Sequence, residues 1–529
     1  MIRWILVASV MVAVAAFAAT ARSQATLFTF EGDRVDDEFG NAVSALGDID
    51  GDGVGDLIVG AWQYGSFSNG GYARVYSGRD GHVLFTFHGD NFDPWGDGDG
   101  LGWSVAGAGD VNGDGLPDMI VGSPYDDLVS FNSGSARVFS GKNGSLLYTF
   151  TGTPGDISQF GLGVASPGDI NGDGFADLVV GAPRDDSFQP AAGTVWFFSG
   201  ANGAVMDRFA GEKTADNLGW SVAAAGDLNG DGFGDCLVSA PAADSLSSAG
   251  RVLVYSGKGR ALLLTLTNGL STDQLGFSVA GVGDVDGDGV PDILAGATGD
   301  GTTGFKAGSA TLFSGRDGGA LSRWFGERTK DHFGTSVSGA GDADTDGTPD
   351  LMIGMWNSST PPVTGHANLF SGRTSLLLYQ FEGAAGLYDE FGRSVGGAGD
   401  INGDGLTDVM IGAPRHDPYG KDAGAAFVLA GSPLFLNAQP RVAGAGQIVT
   451  VTAREQPADT DALLVMVAVN GTPVFVPLVR GTFDPTETWQ ISDQVPPGLS
   501  GLTATFRAYA RNGPFGHVVP SGDETIAFQ

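Results

Sequence analysis

One acidic pattern, Asp-x-[Asp/Asn]-x-Asp-Gly-x-x-Asp, recurs seven times in this chain of 529 residues. Positions 1, 3, 5 and 9 of each copy carry side-chain oxygens. In the first three copies these are Asp48, Asp50, Asp52 and Asp56; Asp110, Asn112, Asp114 and Asp118; and Asp169, Asn171, Asp173 and Asp177. The fourth and fifth hold Asp227, Asn229, Asp231 and Asp235, then Asp284, Asp286, Asp288 and Asp292. The last two hold Asp342, Asp344, Asp346 and Asp350, then Asp400, Asn402, Asp404 and Asp408. Three or four carboxylates within nine residues repel one another unless a cation lies among them, and calcium takes six to eight oxygen ligands. Glycine at position 6 in every copy, and at position 4 in six of seven, allows the tight turn that points alternate side chains inward.

The first six residues of each copy also satisfy the EF-hand pattern. Position 12 decides against it: it is Val59, Val121, Val180, Val238, Ala295, Ile353 or Ile411, never a glutamate. The ninth-position aspartate is therefore expected to close each site, with the position-7 carbonyl as a fifth protein ligand. Up to seven calcium ions are expected. The competing reading is an Asx-turn loop whose aspartates only cap their own backbone. Copy six has Thr345 in place of glycine at position 4, which predicts a distorted or weaker site.

The elements that position these loops repeat with them. Successive copies lie 62, 59, 58, 57, 58 and 58 residues apart. Upstream of each stands Phe-Gly or a near relative, as in Phe39-Gly40, Phe160-Gly161 and Phe391-Gly392. Downstream an apolar run ends in a small motif such as Gly181-Ala182-Pro183 or Gly412-Ala413-Pro414. Each unit reads as four short strands with no helical period, and four strands every 58 residues or so predict a β-propeller blade. The seventh unit ends at Ala425-Ala426-Phe427-Val428-Leu429 without a fourth strand. Thr26-Leu27-Phe28-Thr29-Phe30-Glu31-Gly32 is an orphan copy of one, so the N-terminal strand is expected to close a seven-bladed ring and remove its exposed edges.

Composition narrows the function classes. The net charge is −34, which disfavours nucleic acid and anionic membranes as partners. Seven dications, fourteen positive charges, would bring it to −20. One cysteine, Cys236, excludes a disulfide scaffold. It falls in the same post-loop slot as Leu57 and Leu178, so a buried thiol is expected. The six histidines form no ligand pair and are expected to be solvated. Met1-Ile2-Arg3, the apolar run from Ile5 to Ala19 and Ala19-Thr20-Ala21 predict a signal peptide over residues 1–24, cleaved between Ala21 and Ala25, and hence a secreted, extracellular or cell-surface protein.

With these features the chain resembles the FG-GAP repeat family, the seven-bladed propeller of integrin α-subunit head regions and of many secreted bacterial proteins. The resemblance implies structural calcium in hairpin loops on one face and ligand contact through loops on the other. The propeller is expected over 25–432. Residues 433–529, with alternating runs and no acidic loop, predict a small C-terminal β-sandwich, for which an immunoglobulin-like fold is one form, although the cysteine pair is absent. The expectation is all-β: a calcium-binding adhesion module for an extracellular protein or glycan, not an enzyme. The alternatives are a polysaccharide lyase or hydrolase on a propeller scaffold, or a structural envelope component. No catalytic constellation stands out. The insertion at 90–100 and the loops after Gly-Ala-Pro, such as Arg184-Asp185-Asp186 and Arg415-His416-Asp417, are candidate contact surfaces. The Ser-Gly-Arg-Asp-Gly runs at 77–81 and 314–318 sit where hairpin turns belong.

Overall fold

A computed structural model describes residues 26–431, apart from 64–69, 91–97, 243–248, 269–271, 357–364, 384–388 and 418–421; beyond them it describes the backbone of strands between Leu434 and Phe528. Chain contacts divide the molecule into a unit spanning Leu27–Leu429 and a second that takes in Ala430–Gln529. The predicted signal peptide lies outside the described residues.

The first unit is a seven-bladed propeller. Seven sheets of four strands follow one another, each an up-and-down antiparallel set; blade 2, for example, runs Ser104–Gly109, Asp118–Ser123, Ser135–Phe139 and Leu146–Thr151. The first strands touch one another all the way round, blade 7 against blade 1 included, which makes them the innermost. Blade 7 consists of Ser394–Gly399, Asp408–Ala413 and Ala425–Leu429, and its fourth strand is Thr26–Glu31 from the start of the chain. That is the expected closure.

The core lies between blades. Every second strand is buried along its full length, from Asp56–Ala61 to Asp408–Ala413, as its near-continuous apolar sequence requires. Buried clusters link neighbours; one joins Phe30, Met410 and Val428 of blade 7 to Leu57, Val59 and Tyr76 of blade 1. A repeated aromatic contact crosses these interfaces: Phe30 stacks on Tyr76 at 3.8 Å, Phe87 on Phe139 at 3.9 Å and Phe150 on Phe198 at 4.0 Å between ring centroids.

The paired glycine motifs have one shared cause. A Cβ on Gly122 would lie 1.9 Å from the Gly161 carbonyl oxygen of the next blade, and one on Gly412 would lie 1.9 Å from that of Gly40, across the ring closure. In six of the seven blades the next-to-last residue of the second strand is such a glycine, which lets the next blade's Phe/Leu-Gly segment approach backbone to backbone; blade 4 has Ser239 there.

In the second unit, Leu434–Gln439, Ile448–Glu455 and Trp489–Gln494 form a three-stranded sheet. Thr460–Val469, Thr472–Phe483, Thr503–Asn512, Glu524–Phe528 and two short strands form a six-stranded one. Alternating sequence runs fall on Ile448–Glu455, Thr460–Val469, Thr472–Phe483, Thr503–Asn512 and Glu524–Phe528, whereas Leu434–Gln439 carries none.

Candidate metal loops and the opposite face

Each acidic nonapeptide joins the first strand of a blade to its second, so all seven lie at one end of the innermost strands. Position 1 organises the turn. In loop 1, Asp48 Oδ1 accepts the N–H groups of Gly51 (2.7 Å) and Asp52 (3.0 Å), and Oδ2 that of Gly53 (2.8 Å). Asp110, Asp169, Asp227, Asp284 and Asp400 repeat these bonds. Position 9 is buried. Asp118 Oδ2 accepts from Val111 N–H (2.9 Å) and Asn112 N–H (3.3 Å), and Oδ1 from Gly141 N–H in the hairpin between the third and fourth strands (2.9 Å). The same clamp recurs at Asp56, Asp177, Asp235, Asp292 and Asp350, and Asp408 holds Ile401 and Asn402.

The aspartates therefore do cap their backbone, but capping leaves charge over. In loops 1, 5 and 6, carboxylate oxygens of positions 1, 3 and 9 come within 4.8 Å of one another: Asp48, Asp50 and Asp56; Asp284, Asp286 and Asp292; Asp342, Asp344 and Asp350. The donors are all hard oxygen, one of each trio fully buried, and this fits a calcium-like dication. Position 5 stands apart in these loops, because Asp52, Asp288 and Asp346 pair at 2.9, 2.7 and 2.9 Å with Arg79, Arg316 and Arg373 of the hairpin turn. The other four loops carry Asn at position 3 and no such arginine. Asn112, Asn171 and Asn402 donate Nδ2 to the position-9 carboxylate at 3.1–3.2 Å. So where a fourth aspartate is present, a fixed guanidinium offsets it. Loop 6 keeps its trio although Thr345 must hold φ at +57°, in the left-handed region.

Burial dominates the acid–base behaviour of these loops. It raises Asp118 and Asp177 to about 6. Asp350 rises to about 8, by burial first and then by the Asp344 charge; Asp344 rises to about 6, by burial and then Asp346. A carboxyl raised in the fold keeps a proton that the unfolded chain has released, so its contribution is complete below about pH 4 and is lost as pH rises through 6 and 8. We expect the metal-stripped protein to melt progressively lower from pH 4 to 8, with Asp344→Asn recovering part of the loss at pH 8 and calcium flattening the slope. A metal-free melting temperature that climbs over that range would contradict this electrostatic account.

The other end of the innermost strands carries a second repeat that sequence reading missed. An acid or serine two residues before each Phe/Leu-Gly is buried: Asp37, Asp99, Ser158, Asp216, Asp273, Asp331 and Asp389. Asp37 accepts the N–H groups of Asp33 (2.9 Å) and Arg34 (3.0 Å), Gln63 Nε2 (2.9 Å) and the Tyr72 hydroxyl (3.1 Å), so it ties a loop together. The residue following it takes positive φ, as at Glu38, Asn217, His332 and Glu390. The signal Asp-x-[Phe/Leu]-Gly was present in six of seven units. Among the candidate contact loops, Asp185 is buried against Arg208 (2.6 Å) and Thr194 (2.9 Å), which makes it structural. Most of the insertion at 90–100, and 418–421, lie outside the described residues. Cys236 is fully buried, its thiol pushed up by desolvation. His332 is not solvated: it stacks on Trp356 at 5.0 Å, and burial pushes it down to about 4.

The FG-GAP repeat profile matches residues 101–139, 160–198, 218–255 and 391–429, which fall on blades 2, 3, 4 and 7. These four blades are FG-GAP repeats. The FG-GAP propeller is integrin-α-like: the chain is 33% identical to chicken integrin alpha-V over 214 residues, 33% to Xenopus laevis integrin alpha-5 over 222, and 33% to mouse integrin alpha-8 over 217. These matches cover 38, 39 and 38% of this chain and 20% of each relative, so the likeness spans about a fifth of those proteins.

Proposed function

We propose that this chain is a secreted, extracellular binding module, an FG-GAP propeller whose calcium-filled loops clamp one face while the opposite face engages a protein or glycan. One observation carries the reading: the two ends of the innermost strands are chemically different. At one end the sequence repeats a charged nonapeptide seven times; at the other the residue after each Phe/Leu-Gly varies from blade to blade. Repetition suits a structural ion, and variation suits recognition. The loops between second and third strands, on that same varied face, expose Phe131, Phe188 and Phe305 at 40, 64 and 65% of their surface. Exposed aromatics in corresponding loops of three blades fit a contact surface. The calcium is structural here, because six of the seven loops tie the turn between the first two strands to the hairpin between the last two. Labelled protein from residue 25 onward, applied to immobilised extracellular proteins and glycans, is expected to be retained. Phe188→Ala or Phe305→Ala should weaken retention, and Lys142→Ala in a loop-side hairpin should not. Retention blind to the varied face, or product released from polysaccharide, would overturn this reading.

A further inference from the structure

Seven positions, each directly after a Phe/Leu-Gly pair, meet around the propeller axis: Asn41, Trp103, Leu162, Trp220, Phe277, Thr335 and Arg393. All seven line one open cavity of about 240 Å³ at the end of the innermost strands remote from the acidic loops. Its wall is divided. Trp103, Trp220 and Phe277 are partly exposed, with Trp220 and Phe277 5.5 Å apart. Trp103 is held edge-on to Trp62 at 4.5 Å and to Tyr125 at 5.6 Å, so its orientation is set by packing. Arg393, Thr335 and Asn41 supply the polar part. Arg393 makes no ion pair among the described residues, whereas its neighbour Arg415 is paired with Glu390 at 3.2 Å. It lies over Trp356 at 5.6 Å and donates to the Thr335 hydroxyl at 3.4 Å. Lys306, Arg393 and Lys330 lie near enough to His332 that their charges, after burial, push it down, and Arg393 also lies near Glu390, whose carboxyl it draws down against the effect of burial.

Resting on the binding-module reading above, we propose that this axial mouth binds a single uronic-acid residue at the end or branch of an otherwise neutral glycan. The chemistry selects that ligand. Aromatic rings cover the C–H-rich face of a pyranose, Arg393 forks onto its carboxylate, and Asn41 and Thr335 offer partners for its hydroxyls. A cationic side chain is repelled by Arg393, and an aspartate or glutamate has no flat face for the rings. The cavity holds about one sugar residue. The overall charge disfavours a long polyanion, so the acid must stand alone.

The test is calorimetric titration of the full chain in calcium with two oligosaccharides of equal length, one ending in glucuronic acid and one in glucose, and with an aspartate-ended peptide. The acid sugar is expected to bind about tenfold or more tightly than the neutral one. Arg393→Gln should weaken it about 10- to 100-fold without changing the neutral sugar. Trp220→Ala should weaken both, and Arg393→Lys, which keeps the charge but loses the fork, should fall between. Melting in calcium checks that each variant is folded. Equal binding of both sugars, indifference to Arg393, preference for the peptide, or no sugar binding would each overturn the proposal. If extracellular ligands are still retained in an Arg393-independent way, the binding-module reading survives; if nothing is retained, both fail.

Discussion

Asp118→Ala is expected to destabilise the propeller by about 3–6 kcal/mol, whether or not calcium is present. Its carboxylate is fully buried and accepts three backbone N–H groups, those of Val111, Asn112 and Gly141, besides Asn112 Nδ2. Alanine leaves those donors orphaned, and each buried unsatisfied group costs about 1–3 kcal/mol. Truncating Asp114 in the same loop should cost far less, because it is less buried and accepts from one N–H, that of Leu116 at 3.1 Å. Chemical denaturation of the two variants, each in calcium and in EDTA, separates the contributions. A difference that vanishes in EDTA would mean that Asp118 acts only through the metal.

Loss of the N-terminal strand should be larger still. Phe30 is 7% exposed, stacks on Tyr76 at 3.8 Å and belongs to the cluster shared by blades 7 and 1. Phe30→Ala alone should cost about 3–5 kcal/mol, as for other buried aromatics. A chain starting at Gly32 loses all of Thr26–Glu31, so Ala425–Leu429 becomes a bare edge. Bare edges recruit other chains, so light scattering should show concentration-dependent self-association absent from the intact ring. A truncated chain that stayed monomeric and melted at the parent temperature would show that the ring does not depend on this strand.

The parts legible in the sequence were those written in period. Seven acidic loops at nearly constant spacing gave the blade count, and the orphan copy at Thr26–Gly32 gave the closure, because both depend on similarity between units. Two features escaped for opposite reasons. The buried Asp37, Asp99 and their equivalents are periodic too, but a lone aspartate before Phe-Gly has no local chemistry to mark it; only the loop it ties shows its role. The axial ring is invisible because its members differ. Asn41, Trp103 and Arg393 are chemically unrelated and become neighbours only when the ring closes. The arginines of the Ser-Gly-Arg turns fall between: the runs holding Arg79 and Arg316 were noticed as turns and that of Arg373 was not, and the pairing of all three with Asp52, Asp288 and Asp346 needed three dimensions.

The central claim is that cations in the acidic loops hold the propeller together, and thermal unfolding with and without calcium tests it most directly. Protein from residue 25 onward, stripped with EDTA and verified metal-free by elemental analysis, should melt well below the calcium-loaded form. The loaded form should carry several calcium ions, up to seven. Each site held at a hundredfold above its Kd adds about 2.7 kcal/mol, so even partial occupancy should be plain in the melting curve. Identical melting of verified metal-free and calcium-treated protein would contradict the account and leave the aspartates as caps of their own turns.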